Sequence, residues 1–222
     1  MSHGSAIELV VFDCDGVLLE SVEAKSLAFE QLVRAHGPEA VDRLLAFHHA
    51  HGGVSRYEKF AWFVREVLGR EITPEESQNM GQQFAKLSRA NVLDAPMVPG
   101  ALDALDALRG TLPLYVASGA PHGELVEILT LRGLAGYFTD IYGSPPAKSA
   151  LLRRCIDRSG VAPTATLMIG DSSTDLDAAR ENGTQFYGRG SQFAAHGVPW
   201  GHDLTELIAH IRARHRSATA RD

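Results

Sequence analysis

Two aspartates, Asp13 and Asp15, stand one residue apart inside "VVFDCDGVL" (residues 10–18), at the end of an apolar run. Unpaired charge is costly away from water, so two carboxylates at the end of a buried strand need a cationic partner. Asp171 and Asp175 follow a second apolar run in "ATLMIGDSSTDLDAA" (165–179). Between these pairs, Ser118 closes "LPLYVAS" (112–118), and Lys148 stands alone in "SPPAK" (144–148). Three or four carboxylates at one place repel each other unless a cation sits among them. Hard oxygen donors with open positions suit Mg²⁺, which prefers a few carboxylates, waters and a substrate phosphate. A hydroxyl and free backbone N–H groups at a strand-to-helix junction, together with one lysine, suit a phosphate.

The elements that must gather these residues follow from periodicity. "IELVVFD" (7–13) predicts a strand covered on both faces. Residues 21–93 turn helical: Ala28, Phe29, Leu32 and Val33 suggest one helix, and Phe60, Phe63, Val64, Val67 and Leu68 form one apolar stripe. "GGVS" punctuates this stretch with Ser55 as a helix cap, and "ITPEES" starts another helix with a Thr73/Glu76 capping box. From Pro96 the chain alternates, with strands expected at 112–118, 139–144, 165–171 and 184–188 and helices between them. A last helix is expected to carry Leu204, Leu207, Ile208 and Ile211. Such alternation implies an α/β fold, a Rossmann-like doubly wound parallel sheet. The expected core spans 1–20 and 94–222, and 21–93 form a helical domain inserted after the first strand. In open α/β sheets ligands bind beyond the carboxyl ends of the strands, where all the residues singled out above fall.

Composition excludes several classes. Of 222 residues, 45% are hydrophobic and 22% charged, values of a water-soluble globular protein. A net charge of −6 argues against a nucleic-acid binder, which needs a basic face. No run approaches the apolar length of a membrane span, and the N-terminus lacks a signal pattern. "MSHGSA" reads as a disordered leader or cloning remnant. Two cysteines, Cys14 and Cys155, make no disulfide framework and fit a reducing cytoplasm, with Cys14 reading as a small buried side chain.

Taken together, "FDCDGVL", "VASGA", the isolated Lys148 and "IGDSSTDLDAA" resemble, in order, the four motifs of the haloacid dehalogenase superfamily. A lone DxD is weak evidence, but DxDGV followed much later by GDSxxDxxAA is specific. The helical insertion resembles the cap of the branch that includes phosphoglycolate phosphatase and β-phosphoglucomutase. The resemblance implies that Asp13 is a nucleophile giving an aspartyl-phosphate and that Asp15 is the acid and base. It further implies that Asp13, the carbonyl of Asp15, and Asp171 hold Mg²⁺, with Asp175 beside it. Ser118, Gly119 and neighbouring N–H groups would bind phosphoryl oxygens, and Lys148 would neutralise charge. Lys148 departs from the usual pattern, since its prolines precede it. Lys25, Lys59 and Lys86, the other lysines of the chain, all fall in the insertion, which leaves Lys148 as the core's only candidate lysine.

Asp15 separates phosphoryl chemistry from dehalogenation, since dehalogenases lack this second aspartate. The expected activity is a Mg²⁺-dependent phosphatase acting on a small phosphorylated metabolite, with the protein a monomer or homodimer. A β-phosphoglucomutase-like activity is the alternative. Those mutases carry a histidine twelve residues after the nucleophile, where this chain has Lys25, yet "GVSR" (53–56) resembles their substrate-binding segment. Arg56 is thereby a candidate for holding a second polar end of the substrate. A third reading, a non-catalytic binding protein, has no use for Asp15. The plainer readings are Ser118 as a helix N-cap, Arg56 as a solvated first-turn residue, and Asp177 with histidines 48, 49 and 51 as solvated side chains. Glu20 departs from the aspartate common in this branch, and the sequence alone gives no reason for it.

Overall fold

A computed structural model of the protein describes residues 5–219. Met1–Gly4, the greater part of the expected leader, lie outside the described residues. The apolar runs of the alternating region become strands β1 (Leu9–Phe12), β2 (Leu114–Pro121), β3 (Asp140–Ser144), β4 (Thr166–Gly170) and β5 (Gln185–Arg189). A two-residue strand, β6 (Trp200–Gly201), extends the sheet beyond the sequence expectation. All strands are parallel in the order β3-β2-β1-β4-β5-β6. The order reverses at β1, which places a crevice between the carboxyl ends of β1 and β4.

Alternate residues of β1 serve two helical layers, because successive side chains point to opposite faces. Val10 and Phe12 join a cluster with α5 (Ala101–Leu108), α6 (His122–Leu131) and α9 (Leu207–Thr219). Leu9 and Val11 join another with α7 (Lys148–Ser159) and α8 (Ser173–Asn182). Cys14 and Cys155 are buried, one in each cluster. Leu204, expected within the last helix, is buried just ahead of it.

Between β1 and α5 lie α1 (Val22–Val33), α2 (Pro38–Ala50), α3 (Arg56–Glu66) and α4 (Pro74–Asp94). They enclose an apolar cluster of their own, built on Phe29, Leu44, Phe60, Phe63 and Phe84. The expected apolar stripe is shorter as a helix, since α3 ends at Glu66; Val67 and Leu68 pack on the cluster from the following turn. Ser55 caps α3 by accepting from Tyr57 N. Thr73 accepts from Glu76 N as expected, and the Glu76 carboxylate, held low chiefly by Arg70, also takes a backbone contact from Thr73. A full capping box also occurs at Ser172 and Asp175, at the start of α8.

Candidate active site

Asp13 is the first residue past β1, and its backbone is fixed by Asp13 N donating to Ile169 O of β4. Its Oδ1 accepts from Cys14 N and pairs with Lys148, both at 2.7 Å. Lys148, the first residue of α7, also lies 2.8 Å from Asp175 Oδ1, and all three side chains are buried. Asp175 is anchored from its other oxygen, which accepts from Ser172 N at 3.1 Å and Ser172 Oγ at 2.7 Å. The capping box of α8 therefore also aims Asp175 at the lysine. Gly170 permits the approach, since a Cβ there would lie 2.2 Å from Asp175 Cβ.

Asp171, directly after β4, completes the group. Ligand oxygens of Asp13, Asp171 and Asp175 lie within 4.8 Å of one another. Three carboxylates face one ammonium here. Burial, then the Asp175 and Asp13 charges, raise the Asp171 carboxyl well above its usual value. Burial also raises Asp13, to about 7, against the opposing pull of Lys148. Lys148 is raised as well: burial disfavours its charge, but Asp13 and Asp175 more than compensate and hold it protonated. The Asp171 carboxylate takes no hydrogen bond among the described residues. An all-oxygen donor set with excess negative charge fits a hard divalent cation such as Mg²⁺.

Asp15 is set apart from this group by the turn after β1. That turn is closed by Gly16 N donating to Leu19 O and by Leu19 N donating to Cys14 O. Gly16 has φ +73, and a Cβ there would meet Asp171 Oδ2 at 2.1 Å, so the turn tolerates only glycine. Asp15 Oδ1 accepts from Ser21 Oγ at 2.6 Å, and Oδ2 pairs with Lys25 from α1. Burial works to raise this carboxyl, but the Lys25 charge and the two hydrogen bonds outweigh it and lower its pKa. Glu20 now has a structural account: it forms a two-pronged ion pair with Arg189 of β5, which also donates to Gly16 O at 3.1 Å. The pair braces the turn that carries Asp15.

Ser118 is buried, but it does not cap a helix: β2 continues to Pro121, which precedes α6. Its Oγ accepts from Ala120 N at 3.2 Å, beside an irregularity in the β2–β3 register. Gly119 lies against the inserted helices, where a Cβ would stand 2.0 Å from Gly53 O. Thr174 Oγ1 donates to Gly52 O at 2.6 Å, so the loop before α3 sits directly on the strand ends.

A cavity of about 420 Å³ runs between the two parts, lined by Asp13, Asp15, Ser118 and Asp171 below and by Lys25, Arg56, Lys59 and His48 above. Arg56 is buried rather than solvated; it pairs with Glu124 of α6 and lies 4.7 Å from the Phe84 ring centroid. His48 is likewise buried, correcting the expectation of a solvated histidine face, whereas Asp177 is exposed as expected. Sequence reasoning missed Ser21, Thr174 and the Lys59–His48 pair as parts of this region, and marked Glu20 without a role. Ser21 carried a signal of the wrong kind: it stands at the N-cap position of α1 but makes no cap hydrogen bond, spending its hydroxyl on Asp15.

Phosphoglycolate phosphatase of Vibrio vulnificus (strain YJ016) is 28% identical over 195 residues, spanning 82% of this chain and 83% of the relative. A β-phosphoglucomutase structure from Clostridium difficile aligns with a TM-score of 0.78 at 17% identity, over 97% of this chain and 100% of that one. CbbY from Rhodobacter sphaeroides, in complex with phosphate, aligns with a TM-score of 0.71 at 21% identity, over 90% and 96%. The two structures show a shared fold. The family model for haloacid dehalogenase-like hydrolases matches residues 7–183, a span that holds β1–β4, α8, the inserted helices and every acidic residue of the site; the chain belongs to that family.

Proposed function

We propose that the protein is a Mg²⁺-dependent phosphatase acting on a small phosphorylated metabolite of the phosphoglycolate or sugar-phosphate kind. The observation that carries this reading is the pairing of a lysine-held carboxylate, Asp13, with a second, separately held carboxylate, Asp15, on one cavity. Asp13 attacks phosphorus, forming an oxygen–phosphorus bond as the ester bond breaks, and Asp15 gives its proton to the departing alkoxide. In the second half Asp15 takes a proton from water, which attacks the aspartyl-phosphate and frees Asp13 and inorganic phosphate. Lys148 keeps positive charge beside Asp13, so that one anion is able to approach another. Ser118 and Gly119 hold the phosphoryl oxygens. Asp13, Asp171 and the Asp15 carbonyl would hold the cation, with Asp175 fixed beside them. When bound, Mg²⁺ supplies Lewis-acid stabilisation of the phosphoryl charge.

Helices α1–α4 act as the cap over the core formed by residues 1–20 and 94–222. At the position where the mutases of this branch carry histidine, Lys25 pairs directly with Asp15, which favours hydrolysis over mutase chemistry.

Phosphate release from a panel of phosphorylated metabolites tests the reading. Activity should vanish in EDTA and return with Mg²⁺, while Ca²⁺, with its larger and looser shell, should restore little. Full activity after exhaustive chelation would overturn the metal assignment. A second expectation concerns cap closure. Gly119→Val places a side chain against Gly53 O and keeps the cap loop from seating, so kcat/KM should fall about 10²-fold with an unchanged melting temperature. Wild-type kinetics in that variant would show that closure over Gly119 is not part of the cycle.

A further inference from the structure

The cap wall of the cavity carries a cation that the protein does not neutralise. Arg56, the sequence's candidate for a second end of the substrate, spends its charge on Glu124, and Lys25 spends its own on Asp15. Lys59 is only 3% exposed and has no carboxylate within ion-pair distance among the described residues. Its Nζ lies 2.8 Å from His48 Nδ1, and a protonated lysine, having only donors, donates there. That fixes the His48 proton on Nε2, which is buried without a hydrogen-bond partner in a side chain 6% exposed. The Phe29 ring flanks the lysine, its centroid 5.8 Å from Nζ. An uncompensated ammonium and an unsatisfied N–H, side by side on a cavity wall, complement an anionic oxygen.

We propose that Lys59 and His48 form a subsite for a second anionic group of the substrate, so that the enzyme selects phosphate esters bearing a further carboxylate or phosphate over those with a neutral end. The proposal deepens the phosphatase reading, resting on it for the phosphoryl end. Burial, reinforced by the Lys25 charge, lowers the Lys59 ammonium to about 7, and burial with the Lys59 charge lowers His48 to about 3, so charge on Lys59 comes at a cost that a neighbouring anion relieves. Arg56 then acts as a brace between α3 and α6, with Phe84 beside it, and not as the principal anion holder.

Isothermal titration with Mg²⁺ present, on the Asp13→Asn chain, separates binding from turnover. The probes are 2-phosphoglycolate against ethyl phosphate, and glucose 1,6-bisphosphate against glucose 6-phosphate. The doubly anionic member of one pair should bind at least about tenfold tighter, as for a charge-assisted hydrogen bond, and which pair does so tells carboxylate from phosphate. Adding Lys59→Met should erase that preference, and Lys59→Arg should keep most of it. Because a buried unpaired ion is replaced by a packed apolar chain, Lys59→Met should also melt at or above the parent temperature. Equal affinity within both pairs, an undiminished preference in Lys59→Met, or a lost preference accompanied by a lower melting temperature would each overturn the proposal, the last by making Lys59 structural. A binding preference in a wild type that releases no phosphate would overturn the phosphatase reading alone.

Discussion

Asp13→Asn should abolish turnover, by at least about 10⁴-fold in kcat, while the protein remains folded. The amide keeps the volume and the carbonyl oxygen that accepts from Cys14 N, and Lys148 retains Asp175 at 2.8 Å. What is lost is the nucleophile and one of three carboxylates crowded within 4.8 Å. Burial and the neighbouring Asp175 already push Asp13 up to about 7 against Lys148, so its charge is a burden in the metal-free protein. The variant should therefore melt at or above the wild-type temperature in EDTA. Adding Mg²⁺ should raise the wild-type melting temperature more than the variant's, since a ligand stabilises the state that binds it. Near wild-type phosphate release would sink the covalent mechanism. A large fall in stability in EDTA would show that Asp13 is chiefly a structural partner of Lys148.

The strands were legible because each is a short apolar run with a punctuated end, and a parallel sheet buried on both faces leaves little else for such runs to do. Asp13, Asp171 and Lys148 were legible for the same reason: strand ends and helix starts place them, and both are local features. On the cap side Lys25 and Arg56 were named only through the family resemblance, and their partners were not legible. Lys25 and Lys59 reach the cavity only because α1–α4 fold back over the strand ends, a tertiary event without a local signal. His48 did carry one, since Ala40, Leu44 and His48 are spaced four apart and are the buried residues of α2. Exposed-looking neighbours, His49 and His51, masked that face. Arg56 and Glu124 are 68 residues apart, and no periodicity links them. β6 escaped because a strand of two residues, held by two register positions against β5, has no pattern to detect. Ser172 and Asp175 show the reverse case, in which a motif read for chemistry is also a helix cap. One side chain there both starts α8 and positions the site lysine.

Asp15→Asn should divide the reaction by leaving group. The amide keeps an oxygen for Ser21 Oγ, now at 2.6 Å, so the turn and its Glu20–Arg189 brace persist. It offers neither a proton to a departing alkoxide nor a base to water. Alkyl phosphates, whose alkoxides leave poorly, should lose about 10²- to 10⁴-fold in kcat/KM, the usual worth of general acid–base catalysis. p-Nitrophenyl phosphate, whose phenolate leaves without a proton, should lose far less in its first step. Water activation is missing in either case, so the aspartyl-phosphate should outlive its formation and appear as a one-phosphoryl increase in intact mass. The Lys25 pair sharpens this expectation. Lys25 and Ser21 together overcome burial and lower the Asp15 carboxyl, which suits the base role of the water step, and the proton taken from water there is the one Asp15 gives to the next leaving group. A loss of equal size on both leaving groups, with no phosphoenzyme detected, would move Asp15 out of the acid–base role and leave it as the anchor of α1 through Lys25.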